Sequence, residues 1–155
     1  MELVTLLRSE RAQKGQMVLA FVVLFPVFII CLFIVTDMGR LLALKNQVRI
    51  AADSAALAAA GALDMEQAGY HQNFVLNEYW ATVRANDAIT TLQARDPDDD
   101  WMTYGLSAID VDGSRVTVIV TGTGKTLFGG YLGYNTLSAN AISHARVAVG
   151  VDSEW

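Results

Sequence analysis

Few residues of this chain have the types and spacing that chemistry needs. Gly122-Thr123-Gly124-Lys125-Thr126 has the ending of a phosphate-binding loop, but the pattern needs a further glycine at the position that Ile119 occupies. The lysine should also open a helix whose first amides hold phosphate, and the LFGGYLGY that follows Thr126 is poor in helix formers. Asp96, Asp98 and Asp100 have the first spacings of a calcium loop, yet Trp101 stands where its glycine belongs and Ser107 where its glutamate belongs. That stretch reads as a solvated acidic loop. His71 and His144 each lack a second His or Cys at ligand spacing, and Cys31, the only cysteine, lies inside an apolar run. No nucleophile elbow is present. The residues therefore predict a non-enzymatic protein with no catalytic residue, no cofactor, no metal and no bound nucleotide.

The elements around these residues say more than the residues themselves. Of 155 residues 53% are hydrophobic and 17% charged, with mean hydropathy +0.33, against about 25% charged in an ordinary soluble domain. The excess is concentrated in Met17 to Thr36, which carries no charge and in which fifteen of twenty residues are Leu, Ile, Val or Phe. Twenty helical residues rise about 30 Å, the thickness of a bilayer's hydrocarbon core. Insertion of such a run is favourable by an upper bound of about 5 to 9 kcal/mol. Pro26 would break a soluble helix, whereas in lipid it only kinks one. The run is too long for a secretory signal and lacks a nearby small-residue cleavage site, so residues 17–36 read as an uncleaved transmembrane anchor in the lipid bilayer.

Positive charge on the two sides ties, with Arg8, Arg11 and Lys14 before the run and Arg40, Lys45 and Arg49 after it. Residues 64–155 break the tie. They carry five basic and twelve acidic side chains, a net of −7, and a large C-terminal part translocates largely regardless of charge. The predicted topology is N-in and C-out, single pass. The acidity also excludes nucleic acid as a partner.

After the apolar run the helix signal continues, but the pattern becomes amphipathic. Leu41, Leu44, Val48, Ala51, Ala55, Ala58 and Ala62 recur at alternating steps of three and four, a helix-packing face. Eight of the twelve residues from Ala51 to Ala62 are alanine, which favours helix and admits a close neighbour. Gly61 is a stop signal. A second helix is predicted from Gln72 to Gln93, with Val75, Tyr79, Val83 and Leu92, helped by Trp80 and Ile89, as its apolar face. The period then changes to two. Leu106 to Val111 leads into an Asp112-Gly113 hairpin turn, Val116, Val118 and Val120 alternate along the next strand, and Leu137 to Val149 forms a third. The chain is thus predicted to be α+β: a leader over 1–15, a long helix over 16–63, and a head over 64–155 with a second helix and a three-stranded antiparallel sheet. About ninety residues make a thin core, so the outer half of the long helix must complete it.

Set side by side, several of these segments form a known pattern. Arg11-Ala-Gln-Lys-Gly15-Gln16-Met-Val, the apolar run with Leu24-Phe-Pro26, Asp37-Met-Gly39-Arg40 and Gln47-Val-Arg-Ile-Ala-Ala-Asp53-Ser-Ala-Ala-Leu-Ala-Ala-Ala60 together resemble the TadE/TadG-like proteins of the bacterial tight-adherence (Flp) pilus machinery. Asp37-x-Gly39-Arg40 and the alanine-rich element lean towards the TadG-like branch. The resemblance implies a pilin-like protein of a type IV-like pilus, anchored in the bacterial cytoplasmic membrane, with an extracytoplasmic head and no enzymatic activity. It implies a prepilin peptidase cut between Gly15 and Gln16. It also implies other pilin or assembly subunits as partners, self-assembly into a filament, and the extracellular pilus as a destination after assembly. Pilins usually carry Glu at the fifth position after the cut, where this chain has Ala20; that carboxylate is thought to neutralise a neighbour's N-terminal amine in the filament core.

The residues also admit a reading of another class, a single-pass binding or receptor module that displays an acidic domain. Phe128, Tyr131 and Tyr134 would form its contact surface.

Overall fold

A computed structural model describes residues 2–63, 76–95 and 101–147, with side chains from Gln16 onward. One helix, α1, runs without interruption from Glu2 to Ala60 and carries Pro26 inside it. A second helix, α2, spans Glu78–Ala94. Three strands follow: β1 (Met102–Asp112), β2 (Arg115–Lys125) and β3 (Thr136–Arg146), with a short 3-10 turn at Gly129–Leu132 between the last two. They form one antiparallel sheet in the order β1-β2-β3. The fold is α+β: a long N-terminal helix, a second helix and a three-stranded sheet.

Local sequence accounts for three of the boundaries. Gly61 ends α1, and its carbonyl accepts a hydrogen bond from Arg84 of α2. Asn77 caps α2 by accepting from the Trp80 amide at 3.2 Å. The β1–β2 hairpin closes between the paired Asp112 and Arg115, where Gly113 takes a positive φ of 58°.

The core lies where the outer part of α1 meets the inner face of the sheet and α2. Leu44, Val48, Ala51, Ala52, Ala55, Ala56, Ala59 and Ala62 are buried there with Val116, Val118 and Val120 of β2. The buried surface of α1 is therefore wider than one stripe. Leu41 and Ala58 are only half-buried, while Ala52, Ala56 and Ala59 form an additional covered row. Two different neighbours, the sheet and α2, both pack on the same helix. Alanine's small side chain allows this, since it brings neighbouring backbones close from more than one direction.

The second helix keeps part of the expected face, with Ile89 buried and Leu92 half-buried against the core, and departs from it in the rest. It buries Ala81, Ala85 and Ile89, whereas Tyr79, Trp80 and Val83 are exposed. Against an alanine-covered helix the close-packing residues are the small ones, and the bulky aromatics turn outwards. The expected start over Gln72–Val75 lies outside the described residues. β1 runs longer than the sequence pattern marks, beginning at Met102 rather than Leu106, and β3 begins at Thr136 and ends at Arg146, while the expected end at Ala148 and Val149 lies outside the described residues.

Candidate functional site

The inner part of α1 has no such covering. From Met17 to Val35 its large apolar side chains are exposed almost throughout, Met17 at 79% and Leu19 at 69%. The helix from Gln16 is long and apolar enough to cross a membrane. Gln16, Ala20 and Cys31 are exposed on this bare stretch, and Gly15 lies within α1 just before it.

The junction between the bare and covered parts gathers several side-chain contacts among the described residues. Asp37 follows the apolar run directly, and its carboxylate accepts hydrogen bonds from three successive backbone amides of the β2–β3 connector. Leu127 donates to Oδ1 at 2.9 Å, Phe128 to both oxygens at 3.3 Å, and Gly129 to Oδ2 at 2.7 Å. The carboxylate thus caps the first amides of the 3-10 turn from another element, with charge-assisted bonds stronger than neutral ones. Partial loss of water pushes the Asp37 carboxyl up. The amides of Leu127, Phe128 and Gly129 and the nearby Arg40 charge outweigh that push and hold it below the ordinary aspartate range.

One turn farther along α1, Arg40 donates to the Lys125 carbonyl at 3.2 Å, and its guanidinium lies 5.3 Å from the centre of the Trp101 ring. One turn nearer the bare end, Phe33 stacks on Phe128 with ring centres 3.9 Å apart and planes 7° from parallel. Phe33, Asp37 and Arg40 follow one another at steps of four and three, so they share one face of the helix. Together they hold the end of β2 and the connector after it. Between helix and connector lies an open apolar groove of about 230 Å³, lined by Phe33, Ile34, Met38, Leu41, Phe128 and Leu132 among others.

The connector is shaped to reach this position. Thr126 bonds across its base, amide to the Asn135 carbonyl at 3.2 Å and hydroxyl to the Tyr134 carbonyl at 2.7 Å. Gly129 has no room for a side chain: a Cβ there would stand 2.6 Å from the Tyr134 carbonyl oxygen. Phe128 is half-buried, so it is not part of an exposed aromatic surface, whereas Tyr131 and Tyr134 are 87% and 72% exposed.

The other residues singled out by sequence fall as follows. Asp53 accepts from the Ser143 hydroxyl at 2.7 Å, pinning α1 to β3. Gln47 is half-buried, and nothing in the structure explains Gly39, around which a Cβ would meet open space. Gly122 and Gly124 lie in β2, not in a loop before a helix, so the GTGKT segment cannot cradle a phosphate. Their missing side chains make room for α1 and Trp101 instead. A Cβ on Gly122 would come within 2.4 Å of Val48 Cγ2, and one on Gly124 within 3.0 Å of the Trp101 ring. His144 Nδ1 lies 3.0 Å from the Thr117 hydroxyl on the neighbouring strand. Asp96, Asp98, Asp100 and His71 lie outside the described residues, and among those that are described no group of three or more His, Cys, Asp or Glu is placed to hold a metal. Sequence reasoning marked Asp37 and Arg40 but gave them no role. It missed their partners in the connector, whose only local signal was a Gly-rich stretch carrying aromatics.

Residues 15–62 match the Tad family model, described as "Putative Flp pilus-assembly TadE/G-like". No curated protein and no solved structure matches the chain. The matched span contains the whole bare stretch, the Asp37–Arg40 junction and the alanine face, and stops where α1 gives way to the head. It links the chain to a pilus-assembly family and fits a pilus-associated, membrane-anchored component.

Proposed function

We propose that the protein is a non-enzymatic, pilin-like structural or accessory component of a Tad/Flp-type pilus, of the TadG-like branch. It is inserted in the bacterial cytoplasmic membrane by residues 17–36, N-in and C-out, with the head on the outer side. The observation that carries this reading is the division of one continuous helix. Apart from Phe33 at its end, its inner stretch is left exposed by the described residues, and its outer stretch is fixed to the head by the alanine face, Asp37, Arg40 and Asp53. A rigid rod of this kind presents an apolar surface that either lipid or the helices of other subunits can cover. The acidic head does not suit nucleic acid.

In this reading Gly15 and Gln16 flank a prepilin peptidase cut, and Ala20 sets the role of the subunit. Without the usual carboxylate, a mature N-terminal amine buried in a filament core would lack a partner, at a cost of several kcal/mol. That favours an accessory or minor subunit over a bulk one. The test is mass spectrometry of the N-terminus combined with fractionation of sheared filaments. Co-fractionation with pili, together with loss of piliation and adherence on deletion, is the expected outcome. An intact N-terminus confined to membranes with normal piliation after deletion would instead assign the chain to a membrane-anchored binding or receptor role.

A further inference from the structure

We propose that the connector between β2 and β3, residues 126–135, is a second membrane contact that lies on the outer leaflet at the boundary between acyl chains and headgroups. The proposal rests on the reading of residues 17–36 as the membrane span and adds to it a depth for part of the head. Phe33 lies three residues before the end of that span, about 4.5 Å inside it at the helical rise. Phe128 stacks on Phe33 at 3.9 Å, so the connector is held at the same depth. Asp37 accepts from the backbone amides of Leu127, Phe128 and Gly129, fixing the start of the 3-10 turn against the helix at the level where the apolar run ends.

The side chains that the connector presents at this level suit the boundary. Leu127, Tyr131, Leu132 and Tyr134 are 49%, 87%, 64% and 72% exposed, and Leu132 and Tyr134 line the same groove as Phe33 and Ile34 at the end of the bare face of α1. Tyrosines are enriched where a membrane meets water, since the ring enters the apolar side and the hydroxyl stays wet. The cations lie one step farther out: Lys125 and Arg40 meet through the Lys125 carbonyl, about 6 Å along the helix from Thr36 at the helical rise. That is the headgroup level, where basic side chains meet phosphate. The hairpin turn at Gly113 lies at the opposite end of the head, beside the end of α1, where Gly113 accepts from Leu76 and Ala62 from Asn77. The head therefore stands upright on the bilayer, one end touching it and the other far from it.

The test uses the full chain with Cys31→Ser as background, reconstituted in nanodiscs of phosphatidylcholine and phosphatidylglycerol. A nitroxide is placed in turn at Val27→Cys, Leu132→Cys and Asp112→Cys, and its collisions with oxygen and with a water-soluble nickel chelate are measured. The expected order of the oxygen-to-nickel ratio is Val27 highest, Leu132 intermediate and several-fold above Asp112, and Asp112 as in water. Adding Tyr131→Ser to the Leu132 label should shift it towards water, with circular dichroism showing an unchanged fold. A Val27 label in lipid with a Leu132 label as exposed to nickel as Asp112 overturns this proposal and leaves the span intact. A Val27 label open to nickel overturns the span and the proposal together. A Leu132 label shielded from both reagents, with spin–spin broadening between copies, assigns the patch to another copy of the chain and overturns lipid as its occupant.

Discussion

The inner and outer stretches of α1 are both apolar by count, yet they solve opposite problems. Residues 17–36 carry Val, Leu, Ile and Phe all round, and almost all of them stay exposed within the chain. Residues 44–62 carry mainly alanine on the faces that are covered, and those alanines are fully buried. The difference is side-chain size rather than hydropathy. Large branched side chains gain from a fluid, adaptable neighbour such as acyl chains. Alanine gains little from transfer itself but admits a sheet and a second helix close enough to share one dry core. One helix can therefore carry two solvents, provided that its residues change size at the boundary.

That comparison can be broken most directly by the same truncation on each side. Leu44→Ala should destabilise the head by about 2–5 kcal/mol, because Leu44 is completely buried and a cavity would remain. Leu24→Ala should leave head stability unchanged, since Leu24 is 68% exposed and touches no part of the head core. Urea unfolding of the full chain in micelles, followed by near-ultraviolet circular dichroism, measures both. Equal effects would remove the distinction between the two stretches.

The glycines sharpen it with smaller effects that differ in sign from each other. Gly122→Ala puts a methyl within 2.4 Å of Val48 Cγ2, so the helix or its side chain must shift, at about 1–3 kcal/mol for overpacking. Gly39→Ala meets open space inside a helix and should stabilise by about 0.5–1 kcal/mol. The same unfolding curves check both. Below these comes Ser143→Ala, which removes the hydroxyl that Asp53 accepts at an exposed contact and should cost no more than about 0.5–1 kcal/mol.

Much of this architecture was legible in the sequence, for reasons that differ between its parts. The long helix, the hairpin at Gly113 and the valines of β2 are local signals, a period or a turn dipeptide, and each appears in the structure close to where its pattern lies. The face of α2 was legible only in its second half, at Ile89 and Leu92. Tyr79 and Val83 look like core residues by type, and only the presence of an alanine-covered neighbour makes Ala81 and Ala85 the buried choice. The junction was legible in its residues but not in its geometry. Asp37 and Leu127 are 90 positions apart, and no periodicity in either segment carries the fact that a carboxylate on one caps the amides of the other. For the same reason Gly122 and Gly124 resembled a phosphate loop: the sequence shows missing side chains but not what fills the space.

Asp37 gives the most local test, and its sign follows from its bonds. A carboxyl held below its ordinary value binds its proton more weakly when docked than when free, so docking is favoured while the group is ionised. The stabilisation is fully present above about pH 4, the ordinary aspartate value, and is lost as the pH falls through the lower value of the docked state. Hydrogen exchange of the Leu127, Phe128 and Gly129 amides should then rise at acid pH relative to the Val116–Val120 segment of β2, after correction for the intrinsic pH dependence of exchange. Asp37→Asn should raise it at neutral pH and abolish the additional acid dependence, since an amide oxygen accepts but carries no charge. Because Asp37 holds the connector and not the buried core of α1, α2 and β2, the overall unfolding curve should barely move. A wild-type connector whose protection follows the β2 core at every pH would mean that it is held by Phe33, Phe128 and Thr126 alone. The boundary between the two stretches would then be a matter of packing, with the charge at position 37 incidental to it.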